Sequence, residues 1–115
     1  MNLSEKLEAL EDVTGFPVAP DIYEGEEDKY ITYVYEDERV ALAADNGSKI
    51  DRANITVNFF CPTGYNYYDT KHQIRDYLEQ QGFVVTMRTW VEPTLTGTGK
   101  IRRVLFETEY AEGRV

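Results

Sequence analysis

From Asn54 to Cys61 the chain alternates without interruption. Ile55, Val57, Phe59 and Cys61 fall on one side of an extended backbone, and Asn54, Thr56 and Asn58 fall on the other. Successive side chains of a strand point to opposite faces, so this stretch predicts a strand with one face in a core and one toward water. A strand of a parallel sheet, buried on both faces, would instead read as a continuous apolar run. The chain is therefore expected to build an antiparallel sheet covered on one side only. The cover follows directly in the sequence. Ile74, Tyr77 and Leu78 recur at helical spacing, and Thr70 stands where an N-cap is expected, with Gln73 at the capping-box position. Gly82 supplies a left-handed stop, and Arg75 and Glu79 are spaced for an i, i+4 pair.

The remaining elements are placed around this pair. Leu3, Leu7 and Leu10 make one apolar stripe on an N-terminal helix, with Asn2 as its cap and Glu5 completing a capping box. "TGFPVAPD" ends that helix, because Gly15, Pro17 and Pro20 do not suit helix interiors. Tyr30–Tyr35 reads as a strand, and Val40–Ala44 as a short edge strand. Asp45-Asn46-Gly47-Ser48 is a tight-turn signal. Phe83–Trp90 and Ile101–Tyr110 read as two further strands joined by "EPTLTGTGK". The expected class is α+β: one domain over 1–115, a mainly antiparallel sheet with two helices packed on one face, in the order α-β-β-β-α-β-β.

Composition narrows the chemistry. A hydrophobic content of 42% with 13% aromatic residues favours a folded globule over disorder. No apolar run approaches the roughly 18 residues of a membrane span, and the acidic start "MNLSEKLEALED" is unlike a secretory signal. The chain is thus expected to be soluble, not secreted, and free of membrane partners. Its net charge of −9 disfavours a nucleic-acid-binding module. Residues 1–51 hold 14 acidic and 4 basic side chains, whereas residues 52–115 hold 7 and 8. Such asymmetry suits head-to-tail association of copies.

No catalytic, cofactor or metal residue is expected. His72 is the only histidine and has no serine in a rigid context to activate, so it reads as an exposed residue at a helix start. Cys61 is the only cysteine and reads as a small buried hydrophobe; one His and one Cys do not make a zinc site. The acidic groups Glu24–Asp28 and Glu36–Glu38 fit no calcium-loop pattern and read as a solvated rim. "TGTGK" lacks the glycine and the hydroxyl residue that a phosphate-binding loop requires, and it joins two strands, so it is read as a hairpin connection. For an interface with copies or partners, the candidates are Glu36 and Glu38 on the acidic side and Arg88, Arg102 and Arg103 on the basic side. Tyr65, Tyr67 and Tyr68 either serve an interface, where tyrosine is enriched, or pack over the sheet end.

The run "FFCPTGYNYYDTKHQIRDYLEQQGF", following "ALAADN", resembles small structural proteins of tailed phages and prophages, of the tail-completion or tail-terminator class. The shared pattern covers about residues 17–110: an acidic, aromatic strand pair, an "ADN" turn, and a strand ending in proline. An aromatic "GYNYYD" loop, a short helix closed by "GF" and a final strand hairpin complete it. The resemblance implies a ring, hexameric in similar proteins, that caps the tail tube and receives the head connector. It also implies assembly in the cytoplasm of a bacterial host and residence in the virion. Another head–tail connector or minor capsid component is the nearest alternative, and a non-phage ligand-binding or enzymatic α+β domain is a more distant one.

Overall fold

The alternating segment Asn54–Cys61 lies in the middle strand of a five-stranded sheet, where its apolar face meets the helices. The computed structural model describes residues 3–42, 49–94 and 99–113, and at 37–42, 49–52 and 111–113 it describes the backbone. In chain order the elements are α1 (Leu3–Glu8), α2 (Leu10–Thr14), β1 (Val18–Pro20), β2 (Tyr30–Leu42), β3 (Lys49–Pro62), α3 (Tyr68–Gln80), β4 (Phe83–Pro93) and β5 (Lys100–Gly113). α1 and α2 are two halves of one helical segment that breaks at Ala9, whose amide bonds back to the Glu5 carbonyl at 3.0 Å. The class is α+β and the order is the expected α-β-β-β-α-β-β.

The strands run β1-β2-β3-β5-β4 across the sheet. β1 lies parallel to β2 over Val18↔Ile31 to Pro20↔Tyr33, and every other pairing is antiparallel. The three strands between the helical regions are not the three that the pattern suggested. Tyr30–Tyr35 and Val40–Leu42 belong to one strand, β2, which crosses the acidic stretch with a bulge between Tyr35 and Asp37. The third strand is β1, inside the segment "FPVAPD". Ala43, Ala44 and the Asp45–Ser48 turn lie outside the described residues, although Leu42 pairs with Lys49 across them. The hairpin reading of "EPTLTGTGK" agrees with the pairing of Pro93 with Lys100 that closes β4 onto β5. The molecule measures 57 × 25 × 23 Å, because β2, β3 and β5 are 13 or 14 residues long.

One face of the sheet carries the core. Ile31 and Tyr33 from β2, Ile55, Val57 and Phe59 from β3, and Val104 and Phe106 from β5 meet Leu7, Leu10, Ile74 and Leu78 from the helices. The stripe read on the first helix is borne out: Leu7 and Leu10 are fully buried and Leu3 packs beside them. On α3, Ile74 and Leu78 are fully buried, and Tyr77 lies at their margin, donating its hydroxyl to the Lys6 carbonyl at 2.7 Å. The helix begins earlier than its hydroxyl signal implied. Thr70 is inside α3, buried, and bonded to the Tyr65 hydroxyl at 3.0 Å, while the N-cap position is Tyr67 with no side-chain cap. Gly82, at φ +100°, makes the left-handed turn into β4 as expected. The i, i+4 contact of Arg75 with Glu79 is 3.9 Å long, and Arg75 sits closer, at 2.8 Å, to Asp76.

Candidate functional site

Among the described residues no helix lies over the other face of the sheet. The register sets its side chains in rows across β2, β3, β5 and β4, beginning with Tyr30, Phe60, Arg103 and Trp90. Tyr23, from the connection before β2, extends that row outward. Ring centroids are 4.6 Å apart for Tyr23 and Tyr30 and 5.0 Å for Tyr30 and Phe60. The Arg103 guanidinium then lies 5.4 Å from the Phe60 centroid and 5.2 Å from that of Trp90. The result is a stacked ladder spanning the sheet, with the cation held between two π faces. Arg103 also donates through Nε to Asn58 Oδ1 at 2.9 Å and lies 3.6 Å from Glu92. In the next row Asn58 donates to Thr32 Oγ1, and Asn58, Thr32 and Leu105 are all buried although no helix covers them. The ladder therefore shields the row behind it. Burial, with Glu92 and Tyr23 nearby, raises the pKa of the Tyr30 phenol above its ordinary value.

A groove of about 510 Å³ runs along the ladder, between Ile22 and Tyr23 on one wall and Glu92 and Ile101 on the other. At the opposite end of the same face a trough of about 450 Å³ is lined by Glu36, Glu107, Thr86 and Val84. Val84 is 72% exposed. The face is thus aromatic and cation-stacked at one end and acidic at the other.

The candidate residues divide between the two faces. Glu36 lies at the bulge of β2, exposed, on the acidic trough. Glu38 sits at a backbone position opposite Ala53. Arg88 is on the uncovered face, 64% exposed and paired with Glu107. Arg103 is in the ladder, whereas Arg102, its neighbour on β5, points to the helix side. There its guanidinium stacks on Tyr67 at 4.6 Å, and its Nε is buried with no acceptor. The strand pairing brings β4 and β5 together, but alternation separates Arg102 from Arg88 and Arg103. Of the tyrosines, Tyr65 packs against Phe16 and Phe59 at the sheet end, and Tyr67 lies between Arg102 and Tyr68. Tyr68 alone of the three is largely exposed, at 56%. The ladder was missed in the sequence because Tyr30, Phe60, Trp90 and Arg103 come from four strands; only the register shows that they are neighbours.

Among the described residues no group of three or more His, Cys, Asp or Glu side chains is gathered as for a metal ion. His72 is partly buried on α3, its ring 6.1 Å from that of Tyr68. Cys61 is fully buried as expected, and burial pushes its thiol pKa up against the opposing pull of Arg102 and Lys29. Among the described residues no helix is long and apolar enough to cross a membrane.

No protein-family model matches the chain, and no curated protein matches it in sequence. Among solved structures it is similar to a chain of the virion of the native gene transfer agent (GTA) particle. The TM-score is 0.53 and the identity 14%, and the match covers 96% of this chain and 91% of that one. At that identity the likeness is one of fold.

Proposed function

We propose that the chain is a structural protein of a phage-like virion, and that it is the ring which completes the tail at the head–tail junction. The observation that carries the first part is the fold shared with a virion chain over nearly the full length of both molecules. A match of that extent involves the whole topology rather than a common supersecondary unit. The finer role rests on the resemblance of residues 17–110 to tail-completion proteins. Physical features are in keeping with it. The large uncovered sheet face, with Val84 exposed on it and Ile22 exposed on the connection beside its groove, is of the kind that partner surfaces bury. A net charge of −9 around a channel repels a passing duplex, which favours transit over binding. In this reading the partners are further copies of the chain, the tail tube and the head connector. No cofactor and no catalysis are assigned.

The test is to mix purified protein with tail tubes that lack it, then to measure mass and image the tubes. The expected result is one closed ring at one end of each tube. Binding along tube walls, or no binding, overturns the role. Binding to the head portal in preference to the tube identifies a connector instead.

A further inference from the structure

The two edges of the sheet differ in how they are protected. β4 is an outer strand of 11 residues that runs without a bulge, with its only proline at the end, Pro93. Between Phe83 and Val91 it carries one charged residue, Arg88, and Val84 and Val91 are exposed beside it. Natural sheets blunt free edges with charge, proline or bulges, and a long edge without them is a template for another strand. At the opposite edge β1 covers β2 only from Ile31 to Tyr33. Among the described residues no strand pairs with β2 on that side from Val34 to Leu42, where the bulge and the acids Glu36, Asp37 and Glu38 lie.

We infer that β4 of one copy adds to the free stretch of β2 in the next copy, so that the sheet continues from subunit to subunit. This rests on the ring reading above and names the surface that closes it. Polarity permits the join. β2, β3, β5 and β4 alternate in direction, so β4 and β2 are antiparallel to each other. A copy related by rotation about an axis along the strands then presents its β2 antiparallel to β4. Length permits it too. The register that lays Phe83–Arg88 along Leu42–Asp37 and, past the bulge at Glu36, Thr89–Trp90 along Tyr35–Val34 uses the whole free stretch and stops where β1 begins.

Charge selects this join over its rivals. The same register places Arg88 opposite Asp37, between Glu36 and Glu38. A symmetric pairing of β4 with its own copy over its full length sets Arg88 opposite itself, and a symmetric pairing over the whole of Val34–Leu42 sets Glu38 opposite itself. Like charges directly opposed across strands are unfavourable, so both two-fold dimers are disfavoured and the heterologous contact remains. A heterologous contact that closes by rotation makes a ring.

Cysteine pairs test the join. Within one copy β2 and β4 are three strand spacings apart, roughly 14 Å, beyond the reach of a disulfide. Any link between them must therefore join two copies. On a Cys61→Ala background, Arg88→Cys is combined with Asp37→Cys, and separately with Glu36→Cys or Glu38→Cys. Protein assembled on tail tubes is oxidised and run under denaturing, non-reducing conditions. The expected result is a ladder of covalent multimers with the Asp37 pair, weaker with its neighbours, and none with any single cysteine. Dimers from Arg88→Cys alone, or closed rings that give no ladder with any of the three pairs, overturn the join and leave the ring standing. Wild-type protein that stays monomeric on tubes overturns the ring and the join together. In parallel, Arg88→Asp should shift the midpoint of ring formation to higher protein concentration, and adding Asp37→Arg should shift it back. A midpoint unmoved by Arg88→Asp also overturns the join.

Discussion

Tyr33 shows how one side chain ties the cover to the sheet. Its ring is buried in the core, and its hydroxyl donates to Glu8 Oε2 at 2.7 Å. Burial, reinforced by that carboxylate, raises the phenol pKa well above its ordinary value, and burial also raises those of Tyr30 and Tyr77. A phenol held protonated by the fold contributes stability that is fully present below the unfolded value of about 10 and is lost as pH rises toward the folded value. On a Cys61→Ala background, which removes the buried thiol whose pKa is also raised, the unfolding free energy measured by denaturant titration should therefore begin its phenol-linked fall above about pH 10. Tyr33→Phe should make that fall shallower; an unchanged slope would place the alkaline loss elsewhere. Leu78, fully buried on α3, should cost about 2–5 kcal/mol when replaced by alanine, and a loss within about 0.5 kcal/mol would mean that the site collapses or is not packed. Ile74 and Leu78 were legible from spacing because a helix repeats its core contacts every three or four residues. Arg102 and Arg103 were not. Their charges look alike in sequence, but alternation sends one beneath Tyr67 and the other between Phe60 and Trp90. Reversing both charges would disturb packing on both faces at once, which makes Arg88 the cleaner probe of assembly.

The elements were legible where pattern and punctuation agreed. β3 and α3 each carry a strong period, and Gly82 marks the passage into β4 with a backbone that other residues resist. Gly82→Ala should cost about 1–2 kcal/mol, the usual penalty for a Cβ in the left-handed region. The added methyl itself meets only the Tyr110 ring at 3.4 Å, an ordinary contact, so the loss is one of backbone conformation. Gly64→Ala, whose Cβ would meet nothing within 4 Å, should stay within about 0.5 kcal/mol in the same chemical denaturation. Equal losses at both sites would contradict the assigned turn. β1 was hidden because it is three residues long, preceded by Pro17 and ended by Pro20, and prolines argue against a strand except at an edge. The continuity of β2 was hidden by Glu36-Asp37-Glu38. Three acids in a row read as a solvated rim between two separate strands, yet a bulge lets one strand pass through them while pairing resumes from Asp37↔Asn54.

For the molecule as a whole, the sheet with one covered and one open face was readable from a single strand, since Asn54, Thr56 and Asn58 had to face something other than the helices. What could not be read was how the open face is furnished, because the ladder and the acidic trough each draw residues from several strands. The charge imbalance between the two halves of the sequence does not show which basic groups are free, as Arg88 and Arg103 already meet acids of their own half, Glu107 and Glu92. Edge polarity and the free stretches of β2 and β4 give a more specific basis for association than net charge. The central claim is that this fold is built into a virion at the junction of head and tail. The most direct measurement is a cryo-EM reconstruction of particles from the producing cell, compared with particles made after deletion of this chain. The expected result is a ring of density at the head–tail junction that accepts this 57 Å long fold and vanishes on deletion, leaving heads and tails unjoined. Particles of unchanged structure and infectivity without the chain would contradict it.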